Sequence, residues 1–163
     1  MTLQVKQIFS DQAKRRAFAI RMRVFVREQG VPAEIELDDD DHHAIHFLAM
    51  IRGRMVGTAR LVMHGNNAKI GRMAVLKKDR GKGIGVALLK RSITAAKRRG
   101  AGKIFLHAQV PVIEFYEKMG FRCVGRVFDE AGIAHRKMIL MNNRQRRKRH
   151  RGRRAERSTY RPL

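Results

Sequence analysis

Apolar residues recur along the chain at two different spacings, and the order of those spacings predicts the architecture. Leu3, Val5 and Ile8 suggest a first strand, after which Ser10 and Asp11 offer an N-cap for a helix running through about Gln29, with Ala13, Ala17, Ile20, Val24 and Phe25 along one side. Gly30 and Pro32 end that helix. Residues 44–51, 55–63 and 68–76 then read as three strands, joined by turns at Arg52-Gly53-Arg54 and His64-Gly65-Asn66-Asn67, which predicts an antiparallel meander. A helical period returns with Val86, Ala87, Leu88, Leu89, Ile93 and Ala96 and stops at Arg98-Arg99-Gly100-Ala101-Gly102. Ile104, Leu106, Ala108 and Val110 alternate as a further strand, Pro111 opens a short helix through Met119, and residues 121–128 and 134–141 close the fold as a hairpin around Asp129-Glu130-Ala131-Gly132. No repeat is present. The expectation is an α/β fold, a mixed sheet with helices on both faces.

The stretch most informative about function is Ile70 to Lys90, IGRMAVLKKDRGKGIGVALLK, where an apolar strand runs into alternate glycines and then into a helix. Glycines at that junction let an anion approach the unpaired N–H groups and positive dipole end of the helix. Phosphate is the natural guest. A Walker A loop requires Ser or Thr after its Lys and a glycine five positions before Gly81, and neither is present. The dinucleotide fingerprint would need a third glycine where Val86 stands.

The remaining pattern, Arg80-x-x-Gly83-x-Gly85, resembles the pyrophosphate loop of the GNAT superfamily of N-acetyltransferases, which bind acetyl-CoA. Other segments resemble that superfamily in its usual order. They are Met73-Ala74-Val75 upstream and Glu114-Phe115-Tyr116-Glu117-Lys118-Met119-Gly120-Phe121 downstream. Arg23-Val24-Phe25-Val26-Arg27-Glu28-Gln29 with Val31-Pro32, and Gly132-Ile133-Ala134-His135, are similar to a small bacterial subgroup. The resemblance spans residues 1 to about 141.

What the resemblance implies is a mostly antiparallel central sheet, splayed at an acetyl-CoA cleft, with Met73, Ala74, Val75 and Gln109 lining the gap. Arg80, Gly81, Lys82, Gly83, Ile84 and Gly85 would hold the pyrophosphate, with Phe115 and Tyr116 nearby. Tyr116 falls where the family often places a tyrosine beside the CoA sulfur, and a phenol with pKa of about 10 can donate to the leaving thiolate. Glu28 is the leading candidate base for an ammonium acceptor, with a surface ion pair to Arg23 or Arg27 as the bland alternative; His135 and His107 are weaker candidates for the same role and fit a structural place better. The function implied is acetyl transfer from acetyl-CoA to a primary amine by direct attack, without a metal. Small amine, amino sugar, polyamine and protein N-terminus all fit as acceptor, and the pattern leaves oligomeric state open. A vaguely similar Arg-x-x-Val-Phe start occurs in acyl-homoserine-lactone synthases, but the full glycine loop argues against that chemistry.

Composition adds three points. At 163 residues the chain is one domain's worth, its apolar runs fall short of the roughly 20 residues of a membrane helix, and a cytoplasmic protein with no membrane partner is expected. Cys123 is the only cysteine, so no internal disulfide forms. The formal net charge of +23 is uneven: residues 144–163 carry ten Lys and Arg against Glu156, whereas Glu34, Glu36 and Asp38 to Asp41 crowd six acids into eight positions. The expected division is therefore an acetyltransferase domain over residues 1–143 and a basic, disordered tail over 144–163. That tail supports an alternative reading, an acetyl-CoA-binding protein that associates with nucleic acid without turnover. The acidic run reads as a solvated loop balancing arginines, or as a lip for a cationic acceptor. His42, His43 and His46 beside it match no zinc spacing.

Overall fold

The computed structural model describes residues 2–143 together with Gln145 and Arg147, so the expectation of a disordered tail from residue 144 lies, those two residues apart, outside the described residues. The chain runs β1 (Leu3–Ile8), α1 (Asp11–Arg21), α2 (Ala33–Glu36), β2 (Ile45–Ile51), β3 (Arg54–His64), β4 (Asn67–Val75), α3 (Ile84–Arg98), β5 (Lys103–Gln109), α4 (Ile113–Lys118), β6 (Phe121–Glu130) and β7 (Ile133–Leu140). Ser10 caps α1 by accepting a hydrogen bond from the Ala13 N–H at 3.1 Å. The expected helix through Gln29 changes pitch, because α1 passes at Met22 into a π-helical segment that lasts to Glu28. The Gln29 N–H accordingly donates to the Val24 carbonyl, five residues back, at 3.1 Å.

The strands form one sheet of seven in the order β1-β2-β3-β4-β5-β7-β6. Every neighbouring pair is antiparallel except β4 and β5, which run parallel. Alternation sends side chains to opposite faces, and each face buries its own core. On one face α3 packs Leu88 and Leu89 against Phe47, Leu61, Ile70, Leu106, Phe121 and Met138. On the other, Ala17, Ile20, Val24 and Phe25 cover Leu48 and Ala74. Gly57 permits the first packing, since a Cβ there would lie 3.1 Å from the Ala74 carbonyl oxygen, from Ile84 Cγ2 and from Leu88 Cδ1.

Two expectations need correction. The closing hairpin is tighter than foreseen: β6 continues to Glu130, and only Ala131 and Gly132 turn the chain, with φ of 54° and 77°. Positive φ at both turn positions matches the twist of the flanking strands. The acidic run, expected in solvent, is partly internal, with Glu36 and Asp41 at 3% and 8% exposure beside Arg21 at 1% and Arg60 at 4%. Arg21 donates to Glu36 Oε1 at 2.9 Å and to Asp41 Oδ1 at 2.7 Å, while Arg60 bonds both Asp38 and Asp41. Burial pushes the Glu36 carboxyl up despite Arg21; at Asp41 burial is outweighed by the Arg21 hydrogen bond, which holds the carboxyl well below the usual range. The run therefore does balance arginines, but as a buried network that fixes α1 and its following loop to the sheet. His46 joins it, its Nε2 at 3.1 Å from the Asp41 carbonyl. Among the described residues no group of three or more His, Cys, Asp or Glu is placed to hold a metal, and no helix is long and apolar enough to cross a membrane.

Candidate active site

The residues able to hold a ligand gather where β4 and β5 part. Their pairing is confined to Asn67 with Lys103, Ala68 with Ile104 and Lys69 with Phe105, so Ile70 to Val75 and Leu106 to Gln109 diverge as the two walls of a cleft. A bulge in β4 widens the divergence. Thr58 faces Ala74 while Arg60 faces Gly71, leaving one extra residue on β4, and Arg72 takes up the slack with φ of 49°. Its guanidinium is tied to the Glu36 carbonyl at 3.2 Å and to Asp38 at 3.1 Å. The bulge is thus held by the same network that anchors the acidic run.

Beyond β4 the chain makes one 3-10 turn at Lys77–Asp79 and then the glycine loop. Gly81 and Gly83 have φ of 79° and 78°, and no heavy atom lies within 4 Å of where a Cβ on either would stand. Gly83 is the N-cap of α3 and supplies no side-chain cap, so the first N–H groups of a 15-residue helix are left without a side-chain partner from their cap. Ile84 is buried behind the loop, and Gly85 meets Phe115, whose Cζ would lie 3.4 Å from an added Cβ. Fully buried Asp79 organises the turn by accepting from Arg54 Nη1 and Nη2, both at 2.7 Å, and from Lys82 Nζ at 3.1 Å. The Arg54 hydrogen bonds hold its carboxyl well below the usual range.

Two contacts reach across the cleft from the end of the π-helical segment. Glu28 receives Arg80 Nη1 at 2.7 Å and Nη2 at 2.9 Å, and Arg80 Nε donates to the Val75 carbonyl at 3.0 Å. Gln29 and Gln109 exchange side-chain hydrogen bonds at 2.8 and 3.3 Å. The Glu28 pair expected with Arg23 or Arg27 is therefore made with Arg80, which holds the carboxyl below its ordinary value. Tyr116 lies on the α3 side of the sheet, its ring edge-on to Phe115 and Phe121 at 5.0 and 6.1 Å. Burial pushes its phenol up to about 12. The hydroxyl makes no hydrogen bond among the described residues and is not one of their buried unpartnered polar atoms, so it keeps contact with the surface.

This geometry is that of a known fold, and the sequence match decides the family: the acetyltransferase (GNAT) domain profile matches residues 6–141. The chain belongs to the GNAT acetyltransferase family. The uncharacterized N-acetyltransferase YjcF of Bacillus subtilis is 35% identical to this GNAT chain over 131 residues, covering 80% of the chain and 94% of YjcF. The crystal structure of Escherichia coli ElaA superposes with a TM-score of 0.77 at 25% identity, over 86% of this chain and 100% of ElaA. A GNAT acetyltransferase from Elizabethkingia anophelis with acetyl-CoA bound shares the fold at a TM-score of 0.66 and 20% identity, over 84% and 94% of the two chains. The protein is thus an acyltransferase, and its family chemistry is acetyl transfer.

In this GNAT sheet the residues expected to hold the donor do converge: Met73, Ala74 and Val75 end the bulged wall, Arg80 to Gly85 form the loop, Phe115 packs on it, and Gln109 ends the opposite wall. Tyr116 and Glu28 are not brought together; they lie on opposite faces of the sheet. Sequence reasoning missed Asp79, which stands among Lys77, Lys78, Arg80 and Lys82 and looked like one more surface charge. A single acid inside a basic run was the available signal. It also passed over Gln29, Gly57 and Glu130, whose partners lie far along the chain.

Proposed function

We propose that this GNAT enzyme transfers the acetyl group of acetyl-CoA to a primary amine by direct attack. The observation that carries the reading is the divergence of β4 and β5 beside an uncapped α3 N-terminus, which offers an unpaired backbone edge next to an anion cradle. The left-handed Gly81 and Gly83, with open space where a Cβ would stand, fit a pyrophosphate group. The acetyl-CoA carried by the Elizabethkingia anophelis neighbour supports the same donor here. Bound in the cleft, acetyl-CoA supplies an acyl group activated as a thioester.

The chain's own residues then divide the work. Gly81 to Gly85 and the α3 amides take the pyrophosphate, with Arg80 and Lys82 adding charge from positions fixed by Glu28 and Asp79. Backbone N–H groups of Met73 to Val75, turned by the Arg72 bulge, polarise the acyl carbonyl. Tyr116 Oη donates to the departing thiolate: burial keeps the phenol protonated, and the same burial, by raising its pKa to about 12, makes it a weaker acid than a free phenol. Glu28, engaged by Arg80, contributes in this reading by holding the loop against the acceptor side rather than by collecting a proton.

The test is a thiol-release assay with acetyl-CoA against amines of graded size and charge, with the acetylated product identified by mass spectrometry. Thiol release matched by one acetyl amide per turnover is expected. Release without an amide product, or none with any amine, would reject the reading.

A further inference from the structure

The face of the sheet opposite Tyr116 carries a cluster that the reading above does not use. On β5, Leu106 and Ala108 point into the α3-side core, so Phe105, His107 and Gln109 project from the other face, where α1 also packs. His107 stands on the stretch of β5 that has parted from β4, one strand repeat before Gln109. Its Nδ1 lies 3.1 Å from Glu130 Oε1, and its ring meets Phe128 edge-on at 4.9 Å. Glu130 Oε2 lies 3.6 Å from His135 Nε2, and His135 Nδ1 lies 2.7 Å from the Ile133 carbonyl. His135 is buried and stacks on Phe128 at 6.0 Å. The carboxylate is therefore held between two imidazoles, with Phe128 wedged against both.

We infer that His107 Nε2 takes the proton from the ammonium acceptor, and that Glu130 positions it by accepting the Nδ1 hydrogen. The inference rests on the acetyl-transfer reading and supplies its missing base. An ionised carboxylate only accepts, so the His107 nitrogen facing it carries the hydrogen, and whenever the ring is neutral the lone pair lies on Nε2. Glu130 is ionised through the working range, because the His107 hydrogen bond holds its carboxyl at about 2 against partial burial. One N–H bond of the ammonium breaks, its electron pair stays on the amine nitrogen as the attacking pair, and the proton joins Nε2 to give an imidazolium still bonded to Glu130. That proton leaves to water after turnover. With Tyr116 on one face of the cleft and His107 on the other, proton removal and thiol protonation occur on opposite sides of the sheet. The charged groups facing His107 are Glu130 on β6, His135 and Lys137 on β7, and Lys69 on β4, with Arg72 beyond Lys69 and His64 on β3 beyond Phe105.

Two measurements on the full chain test this. Nitrogen-15 NMR of the histidine rings is expected to show neutral His107 as the Nδ1–H tautomer, and Glu130→Gln is expected to remove that preference. In steady-state assays His107→Gln is expected to lower kcat/KM for the amine by about 100-fold or more and to flatten the acidic limb of its pH profile, a loss of the size that general bases provide. Glu130→Gln should shift that limb and Glu130→Asp restore part of it, while both variants keep the acetyl-CoA-induced rise in Tm that reports an intact fold. An Nε2–H tautomer in the native protein, or a His107→Gln enzyme with unchanged kcat/KM and limb, would overturn the inference. If the native enzyme acetylates no amine, the acetyl-transfer reading fails, and the tautomer measurement then decides whether the dyad exists.

Discussion

Arg80 holds Glu28 through two parallel hydrogen bonds, 2.7 and 2.9 Å long, so a residue of the glycine loop and the last residue of the π-helical segment share one ion pair. Both are partly exposed, at 41% and 32%, and a pair so placed contributes little to stability. Its value is positional. With Gln29 reaching Gln109, it spans the cleft from the loop on one wall to the strand end on the other.

That placement separates two roles for Glu28. Glu28→Gln should reduce kcat by less than about tenfold, because a general base is worth roughly 10²–10⁴ and a positioning pair much less. The larger effect should appear in KM for acetyl-CoA, as Arg80 loses its partner. Steady-state kinetics on both substrates check this, and a collapse of kcat would return the base role to Glu28.

Tyr116→Phe should lower kcat while leaving the affinity for acetyl-CoA within about twofold, since the ring contacts with Phe115 and Phe121 survive and only the hydroxyl is lost. Calorimetric binding and turnover, measured side by side, check the split. Equal turnover would leave Tyr116 a packing residue.

Glycine positions make opposite predictions. Gly57→Ala forces a Cβ against the Ala74 carbonyl and two α3 side chains and should cost about 1–3 kcal/mol of stability, read by urea denaturation. Gly83→Val meets open space but an unfavourable φ, and it fills the cradle. Acetyl-CoA at 100 times its Kd should stabilise the native protein by about 2.7 kcal/mol. The Gly83 variant should lose that gain while remaining folded.

Arg21→Ala removes the guanidinium from between Glu36 and Asp41 and leaves two buried carboxylates without it, at a cost of about 3–5 kcal/mol. The loosened acidic run should also release Arg72 and the β4 bulge. Turnover should therefore fall even at temperatures where the variant stays folded, as circular dichroism and assay together would show.

Glu130 makes stability depend on acid. Its carboxyl is depressed in the folded chain from 4.5 to about 2, so folding favours the ionised form. The contribution is complete above about pH 4.5 and disappears as pH falls through about 2. The difference in Tm between native protein and Glu130→Gln should shrink across that window, as a scanning series in acid would show.

Much of this was legible before any coordinates. Strand and helix periods locate every strand of the sheet, and the alternate glycines mark the loop, because those signals are local and repeat within one element. Pairings across the chain left no such trace. Glu28 and Arg80 are 52 positions apart, His107 and Glu130 are 23 apart, and nothing in the intervening residues announces either contact. Asp79 was passed over and the acidic run misjudged for a related reason: a carboxylate surrounded in sequence by charges looks solvated, and only the fold reveals that arginines have followed it inside. The π-helical turn was equally silent, since Met22 to Glu28 contain neither the glycine nor the proline that would mark a break in the helix.

Three residue pairs join β4 to β5, and past Lys69 and Phe105 the sheet is unfinished. In the proposed reading the backbone groups that would have closed it are left for the donor's own amides to meet. On that reading acetyl-CoA acts as a guest strand, and amides along Leu106 to Gln109 that face the gap should gain protection from hydrogen exchange when it is added. An enzyme built this way cannot be stabilised by zipping its sheet shut without losing its reason to bind.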